Sequence, residues 1–104
     1  MASTWNLDLV RRANEETAIE MRATGSHWSF TPNIDIARDP RWGRVGETFG
    51  EDSYLVGEMG VATIDGLQQG DFTGPTKVIA NAKHWVAGGD PLNDITFSPL
   101  DPSY

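Results

Sequence analysis

The chain has 104 residues, a net charge of -7 and no cysteine, which is ordinary for a soluble globular domain or part of one. The missing cysteines exclude disulfides and thiolate chemistry, and the acidic charge without a basic stripe argues against a nucleic-acid partner. No apolar run reaches the ~20 residues that cross a membrane, so no membrane partner is expected either. No secretion signal is visible at the amino terminus, and localisation stays open.

The first predicted element is a surface helix over about residues 7–24 that covers a sheet. Asn6 can cap its amino-terminal end, and Gly25 stands where a left-handed residue closes a helix. The predicted apolar face consists of Val10, Ala13, Thr17, Ala18 and Met21. The charged side chains fall largely on the opposite face, as on an amphipathic helix.

A short strand is predicted over residues 26–31. Trp28 and Phe30 alternate with polar residues there, and Pro32 then removes a backbone donor and ends the strand. His27 is interpreted as a packed or hydrogen-bonded core residue, because that is the more common state of a histidine on a strand.

The stretch 33–52 has neither helical nor strand periodicity and is punctuated by proline and glycine. Its charged residues are Asp35, Arg38, Asp39, Arg41, Arg44, Glu47, Glu51 and Asp52. An ordered loop of this length is uncommon unless dense contacts offset the entropy cost of ordering it. The composition therefore predicts an ion-pair network, with a solvated charged loop as the alternative.

A second helix is predicted to follow, with Asp52 or Ser53 as its cap. Its apolar face is expected to contain Leu55, Val56, Met59, Thr63 and Leu67. Its glycines are Gly57, Gly60 and Gly66. Each glycine weakens a helix by about 1 kcal/mol relative to alanine, so we expect close packing against a neighbour to compensate.

A buried strand is predicted over residues 77–82, directly before Lys83 and His84. Residues 90–104 show no periodicity and are predicted to be an irregular loop or frayed end. Helix, strand, helix and strand with short connections indicate an α/β fold with parallel strands. A chain with only two strands cannot bury both faces of a parallel sheet, and an eight-stranded barrel takes about 250 residues. We therefore expect a piece of a larger catalytic domain.

Ligands of such folds meet the loops that follow the carboxyl ends of the strands. The first strand leads into the arginine-rich loop and the second into Lys83 and His84. These donors suit a neutral polyol or an anion, although a Lys-His pair without context is more often an ordinary strand end. The tryptophans could stack on sugars, but core packing is the default for most of them. No spacing of side chains indicates a metal site, and no cofactor is expected.

Three segments carry a family resemblance: Asp35-Ile36-Ala37-Arg38-Asp39-Pro40-Arg41-Trp42-Gly43-Arg44, Glu47-Thr48-Phe49-Gly50-Glu51-Asp52 and Lys83-His84. Over roughly residues 1–89 the chain resembles the N-terminal barrel domain of glycoside hydrolase family 3, the β-glucosidase and β-xylosidase family. The resemblance implies a partial (β/α)8 barrel of about two βα units. It also implies that Arg44, Lys83 and His84 bind hydroxyls of the glycosyl unit in subsite -1. The residues expected to hold the loop and orient Arg44 are Asp35, Arg38, Arg41, Glu47, Glu51 and Asp52.

Members of this family are retaining, exo-acting enzymes that use a carboxylate nucleophile and a carboxyl acid/base on terminal β-linked glucosyl or xylosyl units. The nucleophile lies in a Ser/Thr-Asp-Trp setting that this chain lacks, and the acid/base lies further along, so no catalytic residue is expected here. Glu47 and Asp52 are instead interpreted as partners of the arginines. The expected partners are a β-glucoside or oligosaccharide and the remainder of the barrel.

The sequence leaves open which sugar and linkage are recognised. A second hypothesis is a non-catalytic carbohydrate-binding half-barrel that self-associates through open sheet edges. Family members are often periplasmic or secreted, which is an implication of the resemblance alone.

Overall fold

The computed structural model describes residues 1–70 and 73–85. Helices α1 (Leu7–Ala23) and α2 (Ser53–Gln68) pack against each other and against a sheet of strands β1 (Trp28–Ser29) and β2 (Ile79–Ala80). Short 3-10 turns cover Ala2–Thr4 and Val45–Glu47. The predicted element order and the α/β class with parallel strands are confirmed. The loop predicted for residues 90–104 lies outside the described residues.

Helix α1 begins and ends within a residue of its predicted bounds because both of its signals are local. The Asn6 side chain accepts a hydrogen bond of 2.9 Å from the Leu9 amide, and Gly25 adopts a φ of 88°. Its buried residues are Val10, Asn14 and Ala18, whereas the predicted Ala13 and Thr17 are exposed. Burial of Asn14 is tolerated because its amide donates to the Val10 carbonyl at 2.8 Å.

Helix α2 carries most of the predicted apolar face. Asp52 caps it by accepting a hydrogen bond of 2.7 Å from the Leu55 amide. Val56, Met59, Thr63 and Leu67 are buried as predicted, and Leu55 is partly buried.

The glycines of α2 differ in their surroundings. A Cβ on Gly66 would lie 2.3 Å from the Arg11 carbonyl oxygen, and one on Gly60 would lie 3.0 Å from the Ile34 side chain. Gly57 would meet nothing within 4 Å, so the expected close packing is wrong at that position. At Gly66 the missing side chain lets α1 and α2 approach closely.

The two strands are shorter than predicted. Trp28 pairs with Ile79 and Ser29 with Ala80 in parallel register, and an isolated parallel bridge joins Asn33 to Lys83 further along. Pro32 lies between the paired segments and cannot donate a backbone hydrogen bond, which interrupts the ladder.

Several side chains expected in a core are exposed. Trp5, Trp28 and Trp85 are 78%, 54% and 80% exposed, and Trp42 alone among the tryptophans is buried. His27, expected to be packed, is exposed as well. Trp28 lies on a two-stranded sheet, which has too few neighbours to cover both faces. The expectation of core packing was wrong for these residues.

Candidate functional site

The carboxyl ends of β1 and β2 meet beyond the paired residues. The Ile34 amide donates to the Lys83 carbonyl at 2.6 Å, and the Lys83 amide donates to the Pro32 carbonyl at 2.9 Å. The loop 33–52 and the segment Lys83-His84 therefore start from adjacent backbone positions. The Thr31-Pro32 and Lys83-His84 peptide bonds are cis.

Asp35 binds His84 at two points. Its side chain is fully buried, and its Oδ1 accepts a hydrogen bond of 3.2 Å from the His84 amide. Its Oδ2 lies 2.7 Å from His84 Nδ1. Asp35 itself is held because its amide donates to Asn33 Oδ1 at 2.9 Å. The first residues of the loop thus fix both the backbone and the ring of a residue on the other strand.

Arg44 and Glu47 form a two-point ion pair across the 3-10 turn. Arg44 Nε lies 2.8 Å from Oε1 and Nη2 lies 2.7 Å from Oε2. The hydrogen bond from Arg44 is the main cause that lowers the pKa of Glu47 to about 2, with Asn33 and the charge of Lys83 adding to it. Glu47 in turn raises the pKa of Arg44, to which the charge of Asp35 also contributes.

Side chains from both strand ends lie close together at this site. Glu47, the partner of Arg44, lies beside the same cleft as Lys83, and Asp35 from the loop binds His84. Arg44, Lys83 and His84 therefore lie at the same edge of the sheet, where the carboxyl ends of parallel strands meet.

A polar cleft of about 330 Å³ lies at this edge. Asn33, Glu47 and Lys83 line it, together with Thr31 and Thr63. Arg44 and His84 do not line this cleft. Arg44 binds Glu47, which does, and Asp35 connects His84 to Asn33, which also does.

Asn33 is a residue of this site that sequence reasoning missed. It is 6% exposed, its Oδ1 holds Asp35, and its Nδ2 is buried without a hydrogen bond of regular geometry. The side-chain amide of Asn33 nevertheless contributes to the low pKa of Glu47. Its place directly after Pro32, at the end of the predicted strand, was the available signal.

Two further charged residues of the loop, Arg41 and Asp52, have partners close to them in the chain. Arg41 pairs with Asp39 at 2.6 Å on the surface, and its side chain is the main cause that lowers the pKa of Asp39 to about 2. Asp52 caps α2, while Arg38 and Glu51 are exposed. Among the apolar side chains of the loop, Trp42 is buried.

Within residues 1–70 and 73–85, no helix has the length and apolar character to cross a membrane. Over the same residues, no group of three or more His, Cys, Asp or Glu side chains could hold a metal ion.

The fold and this strand-end site define an α/β segment with parallel strands and a polar cleft beyond their carboxyl ends. The sequence profile of the glycosyl hydrolase family 3 N terminal domain matches residues 1–97. The chain belongs to glycoside hydrolase family 3.

Two curated relatives illustrate the match. A "Beta-xylosidase" of Formosa agariphila is 48% identical over 91 residues, covering 82% of this chain and 12% of that protein. A "Periplasmic beta-glucosidase" of Salmonella typhimurium is 36% identical over 103 residues, covering 99% of this chain and 14% of that protein. The chain thus spans a small part of the length of these relatives.

Solved structures agree. A β-glucosidase involved in saponin metabolism from intestinal bacteria has a TM-score of 0.78 at 45% identity, covering 81% of this chain and 12% of that chain. The β-glucosidase of Listeria innocua has a TM-score of 0.77 at 38% identity, and the match covers 85% of this chain and 12% of that chain. That protein has also been solved in complex with glucose.

Proposed function

We propose that this chain forms one wall of the sugar pocket in an exo-acting, retaining glycoside hydrolase that releases terminal β-linked glucosyl or xylosyl units. The observation that supports this most is the junction of Asn33 and Lys83, from which the Arg44-Glu47 pair and the Asp35-His84 pair both extend. The names of the relatives point to the same substrates.

The charges of the site favour a neutral sugar over an anion. Arg44 is paired with Glu47, and the charge of Lys83 acts on the same carboxylate. Cations that are already balanced by carboxylates attract an anion weakly, yet their N–H groups still donate to hydroxyls. These charges support the neutral sugar among the two ligand classes that the sequence left open.

Each residue has a distinct part in holding the sugar. Glu47 accepts hydrogen bonds from Arg44 Nε and Nη2, so the guanidinium is held in one orientation before the ligand binds. Lys83 supplies a movable ammonium, and His84 supplies a ring whose position Asp35 fixes. Pre-oriented groups of this kind lower the entropy cost of placing the sugar for reaction.

The carboxylates of this site are positioning groups in the proposed mechanism. Glu47 has a pKa of about 2 because of Arg44, so it stays ionised at neutral pH and is a poor proton donor. Asp35 is buried against His84. The nucleophile and the acid/base that a retaining hydrolase needs are proposed to come from outside residues 1–85.

The test is substitution of Arg44 in the enzyme that contains this chain, with kcat/KM for 4-nitrophenyl β-glucoside and β-xyloside as the readout. Arg44→Ala should cost about 1.5 to 3 kcal/mol, or roughly one to two orders of magnitude, as expected for a charged hydrogen bond. Arg41→Ala is the matched control, because Arg41 forms a similar pair with Asp39 on the surface. Equal effects of both substitutions, or none from Arg44→Ala, would remove Arg44 from the pocket.

A further inference from the structure

The contact between Asp35 and His84 constrains where the imidazole carries its proton. His84 Nδ1 lies 2.7 Å from Asp35 Oδ2, a normal hydrogen-bond distance. An ionised carboxylate only accepts hydrogen bonds, so Nδ1 must be the donor. In a neutral imidazole the lone pair then resides on Nε2, the nitrogen remote from Asp35.

We propose that Asp35 is a positioning residue that holds His84 in the Nδ1–H tautomer and so makes Nε2 an acceptor for a ligand hydroxyl. The ligand part of this inference rests on the proposed function, whereas the tautomer does not.

The backbone contact makes the arrangement rigid. Asp35 Oδ1 accepts from the His84 amide while Oδ2 meets the ring, so the carboxylate plane is fixed by the residue that it orients. Asp35 is fully buried, which excludes water as a competing partner for its oxygens. The Asn33 side chain holds the Asp35 amide from the other side.

This tautomer has a consequence for the class of ligand. Arginine and lysine side chains only donate hydrogen bonds, so Arg44 and Lys83 would donate to the oxygen of a ligand hydroxyl. Nε2 of His84 would instead accept a hydrogen bond from a hydroxyl O–H. The site would therefore require a free hydroxyl at the position that meets His84, and a deoxy or O-methyl sugar there would lose the contact.

The tautomer is measured by a long-range ¹H–¹⁵N correlation spectrum of the chain at pH about 9, well above the ordinary imidazole pKa of roughly 6.5. The chain has two histidines, His27 and His84, and His27→Asn assigns their signals. His84 should show a pyrrole-type Nδ1 and a pyridine-type Nε2. The exposed His27 serves as an internal control for an averaged pair of nitrogens. An averaged or Nε2–H pattern for His84 overturns the proposal.

Asp35→Asn provides a second test with an inverted outcome. In this variant the backbone N–H of His84 should still donate to the side-chain oxygen of residue 35. The NH₂ group of the new side chain should then face His84 Nδ1. An amide donor needs a lone pair there, so the proton should move to Nε2 and the two signal types should exchange. An unchanged pattern in a folded variant overturns the proposal, and the wild-type spectrum decides alone if the variant does not fold. Because no sugar or turnover enters either spectrum, failure of the tautomer is distinguishable from failure of the proposed function.

Discussion

Asp35 and His84 are 49 positions apart in the chain, yet Asp35 Oδ2 lies 2.7 Å from His84 Nδ1. The parallel bridge between Asn33 and Lys83 brings them together, because Asp35 follows Asn33 by two positions and His84 follows Lys83 directly. Helices α1 and α2 lie against each other, and α2 also contacts β2. The site is thus a product of strand pairing.

Loss of the Glu47 carboxylate should weaken sugar binding more than it weakens the fold. Glu47→Gln removes the charge that fixes the Arg44 guanidinium, so KM for β-glucosides should rise severalfold in the enzyme that contains this chain. Exposed ion pairs contribute little to stability, so the unfolding midpoint should barely move. Asp39→Asn is the control, since it breaks the pair of Asp39 with Arg41 and should leave KM unchanged. A KM equally insensitive to Glu47→Gln would contradict the orienting role.

Acid should destabilise the fold in a defined pH window. The pKa of Glu47 falls from 4.5 to about 2 in the folded chain, and that of Asp39 falls from 3.8 to about 2. A depressed folded-state pKa contributes stability above the unfolded-state value, and that stability is lost as the pH falls through the folded-state value. Urea unfolding should therefore show a midpoint that decreases between pH about 4.5 and about 2. The slope should be shallow because both carboxylates are near solvent.

The acid effect has its own control. In the double variant Glu47→Gln, Asp39→Asn, the decrease over this window should be smaller than in the wild-type chain. An identical decrease in both proteins would show that other carboxylates cause it.

Gly66→Ala should destabilise the helix pair. The new Cβ would lie 2.3 Å from the Arg11 carbonyl and 2.7 Å from Asn14 Cβ, so backbone must move. Overpacking of this kind costs about 1 to 3 kcal/mol, which exceeds the gain in helix propensity of about 1 kcal/mol. Gly57→Ala is the matched control, because its Cβ would meet nothing within 4 Å and should stabilise the helix. Opposite shifts in the unfolding midpoint are expected, and stabilisation by both would contradict the close approach of α1 and α2.

The sequence predicted the features that local chemistry decides. Asn6 and Asp52 cap the helices as their side chains suggest, because a cap involves residues only a few positions apart. Parallel pairing followed from the order of elements. The exposure of Trp28 did not follow, because burial depends on how many strands surround it.

The site itself was only partly predictable. The residue types and their place after the strands pointed to the arginine-rich loop, Lys83 and His84, and the family resemblance singled out Arg44 within that loop. The partner of Asp35 could not be read from the sequence, because the contact with His84 depends on register between distant segments. Asn33 was missed for the same reason: its contacts with Asp35 and Glu47 appear only once the loop is folded.

The most direct measurement is a crystal structure, with bound glucose, of the enzyme that contains this chain. Arg44, Lys83 and His84 should each lie within about 2.7 to 3.2 Å of hydroxyl oxygens on one sugar ring. The carboxylates that flank the anomeric carbon should come from outside residues 1–85. A sugar bound away from the Asn33-Lys83 junction, with Arg44 out of reach of it, would contradict the proposed pocket.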